Sequence, residues 1–112
     1  GWFVKDGVDD LPIELLLSLY KGQVRQLAEH YDVPESIIKE KPSPDMFKGL
    51  GDEDLIGFQY STIDKVAYVK ENLLYPEVAY SNGVSENDFN RILKLHELSA
   101  WKRETPHEYP KI

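Results

Sequence analysis

A mainly helical fold is what this sequence predicts, and three observations predict it. Apolar residues recur at helical spacing in three stretches, Val24 to Tyr31, Ile63 to Leu74 and Phe89 to Ala100. Ser61 and Ser85 stand just ahead of the second and third, where a hydroxyl can cap a helix. Turn signals separate the three: Asp32-Val33-Pro34, Tyr75-Pro76 and Ser81-Asn82-Gly83. The expectation is three to five helices.

Taken in order, Gly1 to Val4 reads as a buried strand or the tail of an element that starts upstream. Lys5 to Pro12 reads as a loop, because Asp and Gly favour turns and Pro12 keeps Leu11 out of the helical region. Ile13 to Leu19 is apolar with mixed period, which leaves its type open. From Lys21 a helix follows, with Val24, Leu27, Ala28 and Tyr31 on one face, ending at Asp32-Val33-Pro34. Pro34 to Lys39 looks like a short helix with proline at its first position. Lys41 to Gly57 is irregular, with two prolines, three glycines and the acidic run Asp52-Glu53-Asp54. Such a segment is more often a functional loop than filler, and a mobile loop is expected near residues 44–56.

Ser61 then opens an amphipathic helix ending near Asn72. Ser85-Glu86-Asn87-Asp88 resembles a capping box and opens the clearest helix, with Phe89, Ile92, Leu93, His96 and Ala100 on its inner face. Lys102 and Arg103 fall in its last turn, where cations suit the dipole. Thr105 to Ile112 carries two prolines and is expected to be extended.

Composition bounds the function. At 112 residues and 12.9 kDa the chain is one domain at most, or a piece of one. It opens within structured sequence and without an initiator Met, so a fragment is expected. Its 41% hydrophobic content can build a modest core, which packing against another segment or subunit would help. There is no signal-peptide pattern, and no apolar run approaches the roughly 20 residues of a membrane helix. Zero cysteines exclude a disulfide framework, a thiolate zinc site and a cysteine nucleophile, and agree with a cytoplasmic setting. A net charge of −7 argues against a nucleic-acid partner.

Catalytic machinery is sparse by spacing alone. His30, His96 and His107 show no metal-ligand spacing, and each reads as a surface or satisfied core imidazole. Asp9-Asp10 and Asp52-Glu53-Asp54 could hold Mg²⁺, yet such runs are usually solvated loop acids. No phosphate-cradling glycine loop, zinc-protease helix or nucleophile elbow occurs. The cations Lys5, Lys21 and Lys102-Arg103 are more suggestive, since lysines beside tight turns reach phosphates as point charges. Only a fold that gathers them would raise them above ordinary surface lysines.

Six stretches, in order, carry a resemblance: Gly1-Trp2-Phe3-Val4-Lys5-Asp6-Gly7; Leu19-Tyr20-Lys21-Gly22-Gln23-Val24; Val33-Pro34-Glu35 with Lys41-Pro42-Ser43-Pro44-Asp45-Met46; Gly51-Asp52-Glu53-Asp54-Leu55-Ile56-Gly57; Tyr60-Ser61-Thr62-Ile63-Asp64; and Trp101-Lys102-Arg103-Glu104-Thr105-Pro106. Together they resemble the C-terminal part of the ammonia-dependent NAD⁺ synthetases, of the ATP-pyrophosphatase superfamily. The resemblance implies the C-terminal helical segment of an α/β, Rossmann-like ligase fold, with 1–112 as that segment and the N-terminal ATP-binding half absent. It implies adenylation of deamido-NAD⁺ by ATP with Mg²⁺, then attack by ammonia, yielding NAD⁺, AMP and pyrophosphate. It also implies a homodimer.

Residue by residue, the resemblance implies that Lys21 and Ser43 contact ATP and that Lys5 and Lys102 contact deamido-NAD⁺. Trp101 stands where the family has a histidine, so it can stack but not make the same hydrogen bonds. The family's substrate-contacting Asp falls on Pro12, which leaves Asp10, two residues earlier, as the substitute. The family's pyrophosphate-binding motif and its Mg²⁺ ligand would lie upstream of Gly1, so no catalytic or metal residue is expected within the chain, which alone should be inactive. Two alternatives stay open: a non-catalytic acidic helical interaction module, and a relative with a different substrate.

Overall fold

The computed structural model describes residues 5, 11–44, 48–104 and 110. The described residues form six α-helices and one 3-10 turn and no strand, so the helical class holds, while two short helices in segments that read as loop take the count above the three to five expected. Gly1 to Val4 and Asp10 lie outside the described residues, as do His107 and nearly all of the tail.

The helices are α1 Lys21–His30, α2 Glu35–Ile38, α3 Asp52–Ile56, α4 Tyr60–Glu71, α5 Glu77–Ser81 and α6 Glu86–Leu98, followed by the 3-10 turn Ala100–Arg103. Ahead of α1, Ile13 to Leu19 forms turns rather than a helix, with Leu19 N donating to Leu16 O at 3.0 Å. Ile13, Leu15, Leu16 and Leu17 are all exposed.

The core lies where α4, α5 and α6 meet. Val66 and Val69 of α4, Ala79 of α5, and Phe89 and Ile92 of α6 are buried together with Phe58 and Val84. Tyr80 closes on Phe89 edge to face, with ring centroids 5.6 Å apart, the arrangement that ring quadrupoles favour. Arg91 covers the outer face of Phe58 at 4.9 Å from the ring centroid. Lys65 Nζ, from α4, donates to Asn82 O at 2.7 Å and ties α4 to the end of α5. Helix α1 packs on α4 outside this core and buries no residue fully.

Several boundaries differ from the sequence reading. Helix α4 starts at Tyr60 with Gln59 as its cap, because Glu53 Oε1 accepts from Tyr60 N at 2.9 Å and anchors the first turn from α3. Ser61 is therefore inside the helix. Pro34 is the cap of α2 rather than its first residue, and the connection after Tyr75 contains α5. Lys102 and Arg103 lie in the 3-10 turn beyond α6, and Arg103 reaches back to His96 O at 2.6 Å to satisfy an orphan carbonyl. Ser85 does cap α6, accepting from Asp88 N at 3.1 Å.

Helices α1, α4 and α5 share one ending. In each, the second residue past the cap donates back to the carbonyl five positions earlier: Val33 N to Ala28 O, Leu74 N to Val69 O, and Val84 N to Ala79 O. The motif needs a left-handed residue, supplied by Asp32 (φ 53°), Leu73 (φ 53°) and Gly83 (φ 87°). Only glycine adopts that conformation without a Cβ penalty. Leu73 sits there 93% exposed, so it offsets none of the strain by burial.

Candidate functional site

An open cleft of about 470 Å³ lies between α1, α2 and the segment 41–43. Val24 and Ala28 of α1 face Val33, Ile37 and Ile38 across it, so the apolar stripe of α1 becomes a wall rather than a sealed core contact. Lys21, Arg25, Lys41 and Ser43 supply the polar lining, with Glu40 as the acid among them. Lys21, Arg25 and Lys41 against Glu40 and the Asp54 that pairs with Lys41 leave the cleft a small cationic excess in a chain of net charge −7. Such a wall accepts a flat apolar group while its rim receives an anion. The structure thus brings together Lys21 and Ser43, the two residues expected at ATP.

Lys21 occupies the first position of α1, where a cation opposes the helix dipole and the first turn contains no acid to compensate. Its amine lies over the ring of Tyr60, 5.7 Å from the centroid. The ring is held in turn: Tyr60 Oη donates to Asp52 Oδ2 at 3.0 Å. Burial first, then this bond to Asp52, pushes the Tyr60 hydroxyl up to about 12, so it remains a protonated donor. The other carboxylate oxygen of Asp52, Oδ1, is buried with no hydrogen-bond partner among the described residues.

Asp52 also fixes the other side of the cleft. Its backbone N donates to Pro42 O at 2.8 Å, and Ser43 Oγ donates to Leu50 O at 3.1 Å. Lys41 Nζ pairs with Asp54 Oδ2, and this bond, with that from Gly51 N at 2.9 Å, holds the Asp54 carboxyl below its ordinary range. Gly51 is buried against the same segment: a Cβ there would stand 2.8 Å from Pro42 O and 2.4 Å from Lys41 Cε. The run Asp52-Glu53-Asp54, which reads in the sequence as loop acids or Mg²⁺ ligands, is engaged in hydrogen bonds that join 41–43 to α4. Of the span 44–56, residues 52–56 form α3, and 45–47 lie outside the described residues.

Two further contacts tie α1 to α4. Gly22 N donates to Asp64 Oδ2 at 2.9 Å, and the Tyr20 hydroxyl donates to Glu71. The Glu71 bond, then burial, pushes the Tyr20 hydroxyl up to about 12.

Lys5, Trp101 and Lys102 form a second group. Lys5 Nζ donates to Trp101 O at 3.3 Å, to Lys102 O at 3.4 Å and to Glu104 O, so its charge meets the carbonyl end of the 3-10 turn. Lys102 Nζ lies 5.8 Å from the centroid of the Trp101 ring, which is 54% exposed. The three amines singled out in the sequence thus fall into two groups, Lys5 with Lys102 and Lys21 with Ser43. Tyr60 and Arg25 are site neighbours to which the sequence reading gave no role, and Asp52, read there as a loop acid or Mg²⁺ ligand, instead holds the Tyr60 hydroxyl. Lys21 and Tyr60 are 39 positions apart, beyond the reach of any periodicity argument.

Residues 1–106 match the family described as NAD synthase. The NH₃-dependent NAD⁺ synthetase of Thermoplasma acidophilum is 32% identical over 111 residues, covering 99% of this chain and 43% of that protein. That of Sulfurisphaera tokodaii is 40% identical over 111 residues, covering 95% of this chain and 39% of the relative. The Thermotoga maritima synthetase is 33% identical over 116 residues, with 100% of this chain and 38% of the relative covered. The chain spans about two fifths of the length of these curated relatives. A match along nearly all of its residues, with the cleft built from residues inside that match, shows that this chain belongs to the NAD synthase family.

Proposed function

We propose that this chain is the C-terminal part of an ammonia-dependent NAD⁺ synthetase and supplies charge and hydrogen-bond donors to both nucleotide substrates. The observation that carries this reading is the meeting of Lys21 and Ser43 on one basic cleft, in a chain of that family.

The chemistry begins with a carboxylate, a poor electrophile. In the proposed first step an oxygen of the nicotinate carboxylate of deamido-NAD⁺ attacks the α-phosphorus of ATP and pyrophosphate leaves. Ammonia then attacks the acyl carbon, AMP departs, and a proton is lost from nitrogen. Lys21 would neutralise charge on the phosphate chain, where a fixed cation favours pyrophosphate departure. The Ser43 hydroxyl, which has one proton, would turn from Leu50 O to donate to a phosphate oxygen. Lys5, Lys102 and the exposed Trp101 ring would hold deamido-NAD⁺, the indole by stacking and the Lys102 amine by charge. Asp10 is proposed as a further contact to the same substrate. The segment near 44–56 would close over the cleft and keep water from the adenylate.

The family implies Mg²⁺, which would draw charge from the phosphates. Among the described residues no group of three or more His, Asp or Glu side chains could hold a metal ion. Mg²⁺ is usually held by one or two carboxylates together with substrate phosphates, and its protein ligand is proposed to lie in the N-terminal half of the full protein. A homodimer is proposed with the enzyme; the exposed leucines between Leu11 and Leu17 are apolar surface of the kind such assembly covers. Among the described residues no helix is long and apolar enough to cross a membrane.

The full-length protein tests the reading through pyrophosphate release that depends on deamido-NAD⁺. Lys21→Ala should cut that rate about 10- to 100-fold, the worth of a charge-assisted hydrogen bond. Lys102→Ala should mainly raise KM for deamido-NAD⁺. Trp101 in place of the family histidine favours one second reading, the same chemistry on a different carboxylate. ATP-dependent pyrophosphate release with another acid, and none with deamido-NAD⁺, would select it.

A further inference from the structure

We infer that Tyr60 is a positioning residue that couples the two sides of the cleft, seating the Lys21 amine on its ring while its hydroxyl, through Asp52, registers that ring against the Ser43 segment. This rests on the proposed ATP site and adds residues that act on it indirectly.

Lys21 needs such a device. Its side chain is exposed and long, and an unrestrained lysine loses rotamer freedom on meeting a phosphate. The Tyr60 ring face offers the amine a favourable resting place without taking up its three donors in an ion pair. The ring has its own restraints: Tyr60 is the first residue of α4, its N–H is held by Glu53, and its hydroxyl is held by Asp52. Asp52 N is bonded to Pro42 O, one residue before Ser43. The path from amine to hydroxyl therefore runs Lys21, Tyr60, Asp52, Pro42, Ser43, with each link a contact given above.

Among the described residues Asp52 keeps one oxygen buried without a partner, a cost that an aspartate serving only as a helix-start residue could avoid by facing solvent. Burial, then the bond to Asp52 and the charges of Asp52, Glu53 and Asp64, raises the Tyr60 hydroxyl further above working pH, where it is a donor in any case.

The test uses the full-length protein with two variants. Tyr60→Phe keeps the ring and loses the bond to Asp52; Tyr60→Leu loses both. The ε-CH₂ resonances of Lys21, assigned by Lys21→Arg, report the ring directly through its ring-current shift. That shift should be present in the wild type, reduced in Tyr60→Phe and lost in Tyr60→Leu. KM for ATP should rise about 3- to 10-fold in Tyr60→Leu and by less in Tyr60→Phe, while KM for deamido-NAD⁺ stays within about twofold. A purely structural role would shift both KM values together, and that result, or an unmoved Lys21 resonance in Tyr60→Leu, overturns the inference. If the wild type turns over no ATP yet Lys21 shows the ring shift and loses it with the ring, the enzymatic reading fails and the positioning of Lys21 by Tyr60 stands. Should Tyr60→Leu fail to fold, Tyr60→Phe decides: a Lys21 resonance and KM for ATP both identical to wild type would refute the coupling through Asp52.

Discussion

Gly51→Ala isolates the close approach that holds the Ser43 segment. The backbone at Gly51 is ordinary, with φ −97°, so alanine pays no conformational penalty there. What it meets is contact: the new Cβ would lie 2.4 Å from Lys41 Cε and 2.8 Å from Pro42 O. The Lys41 side chain can swing away, giving up only its exposed pair with Asp54. The Pro42 carbonyl cannot, because it is backbone and already accepts from Asp52 N at 2.8 Å. Forcing it aside costs about 1–3 kcal/mol as overpacking, and breaking its hydrogen bond about 1 kcal/mol more. Against this, alanine stiffens the unfolded chain by about 0.4–1 kcal/mol. The net expectation is a loss of about 2 kcal/mol, with the urea midpoint falling by roughly 1 M. A matched control is Gly57→Ala, where nothing lies within 4 Å but φ is +83°, so the cost there is backbone strain alone, about 1 kcal/mol. The wild-type urea midpoint in Gly51→Ala, or a cost below that of Gly57→Ala, would refute the argument that 41–43 is clamped by contact.

Other outcomes follow from the same structure. Leu73→Gly should stabilise the protein by about 1 kcal/mol, since it removes a left-handed leucine that buries almost nothing, and chemical denaturation checks the sign. Phe89→Ala should cost about 3–5 kcal/mol by emptying the centre of the core and removing the Tyr80 edge contact. For His96, burial and then the nearby Arg103 and Lys70 hold the imidazole below its ordinary 6.5, with Glu71 opposing. The unfolded chain therefore takes up a proton more readily, so stability is retained above pH 6.5 and declines as pH falls below it toward the folded-state value. A denaturation series across that window should show a shallower decline in His96→Gln.

Much of the helical layout was legible because it rests on local rules. Ser85 caps α6 as its position suggests, though Asp88 pairs with Arg91 rather than completing a capping box; Gly83 stands at a left-handed helix end, and Phe89 and Ile92 face the core at helical period. The start of α4 was not legible, because Ser61 is a plausible cap by local chemistry and only Glu53, reaching from α3, moves the boundary to Tyr60. Leu73 in a glycine conformation was equally hidden. Leucine disfavours it, and the turn is closed by Leu74 N donating to the carbonyl of buried Val69.

Of the candidate site, sequence could name Lys21, Ser43, Lys5 and Lys102 by their place in family motifs, and it could set the net charge and the absence of cysteine. It could not say which of these residues meet. Residue type and spacing along a chain determine helices and their apolar faces, since those depend on neighbours a few positions away. The cleft, the amine resting on Tyr60 and the engagement of Asp52 depend on how α1, α3 and α4 pack, and packing joins residues whose separation in sequence carries no distance information.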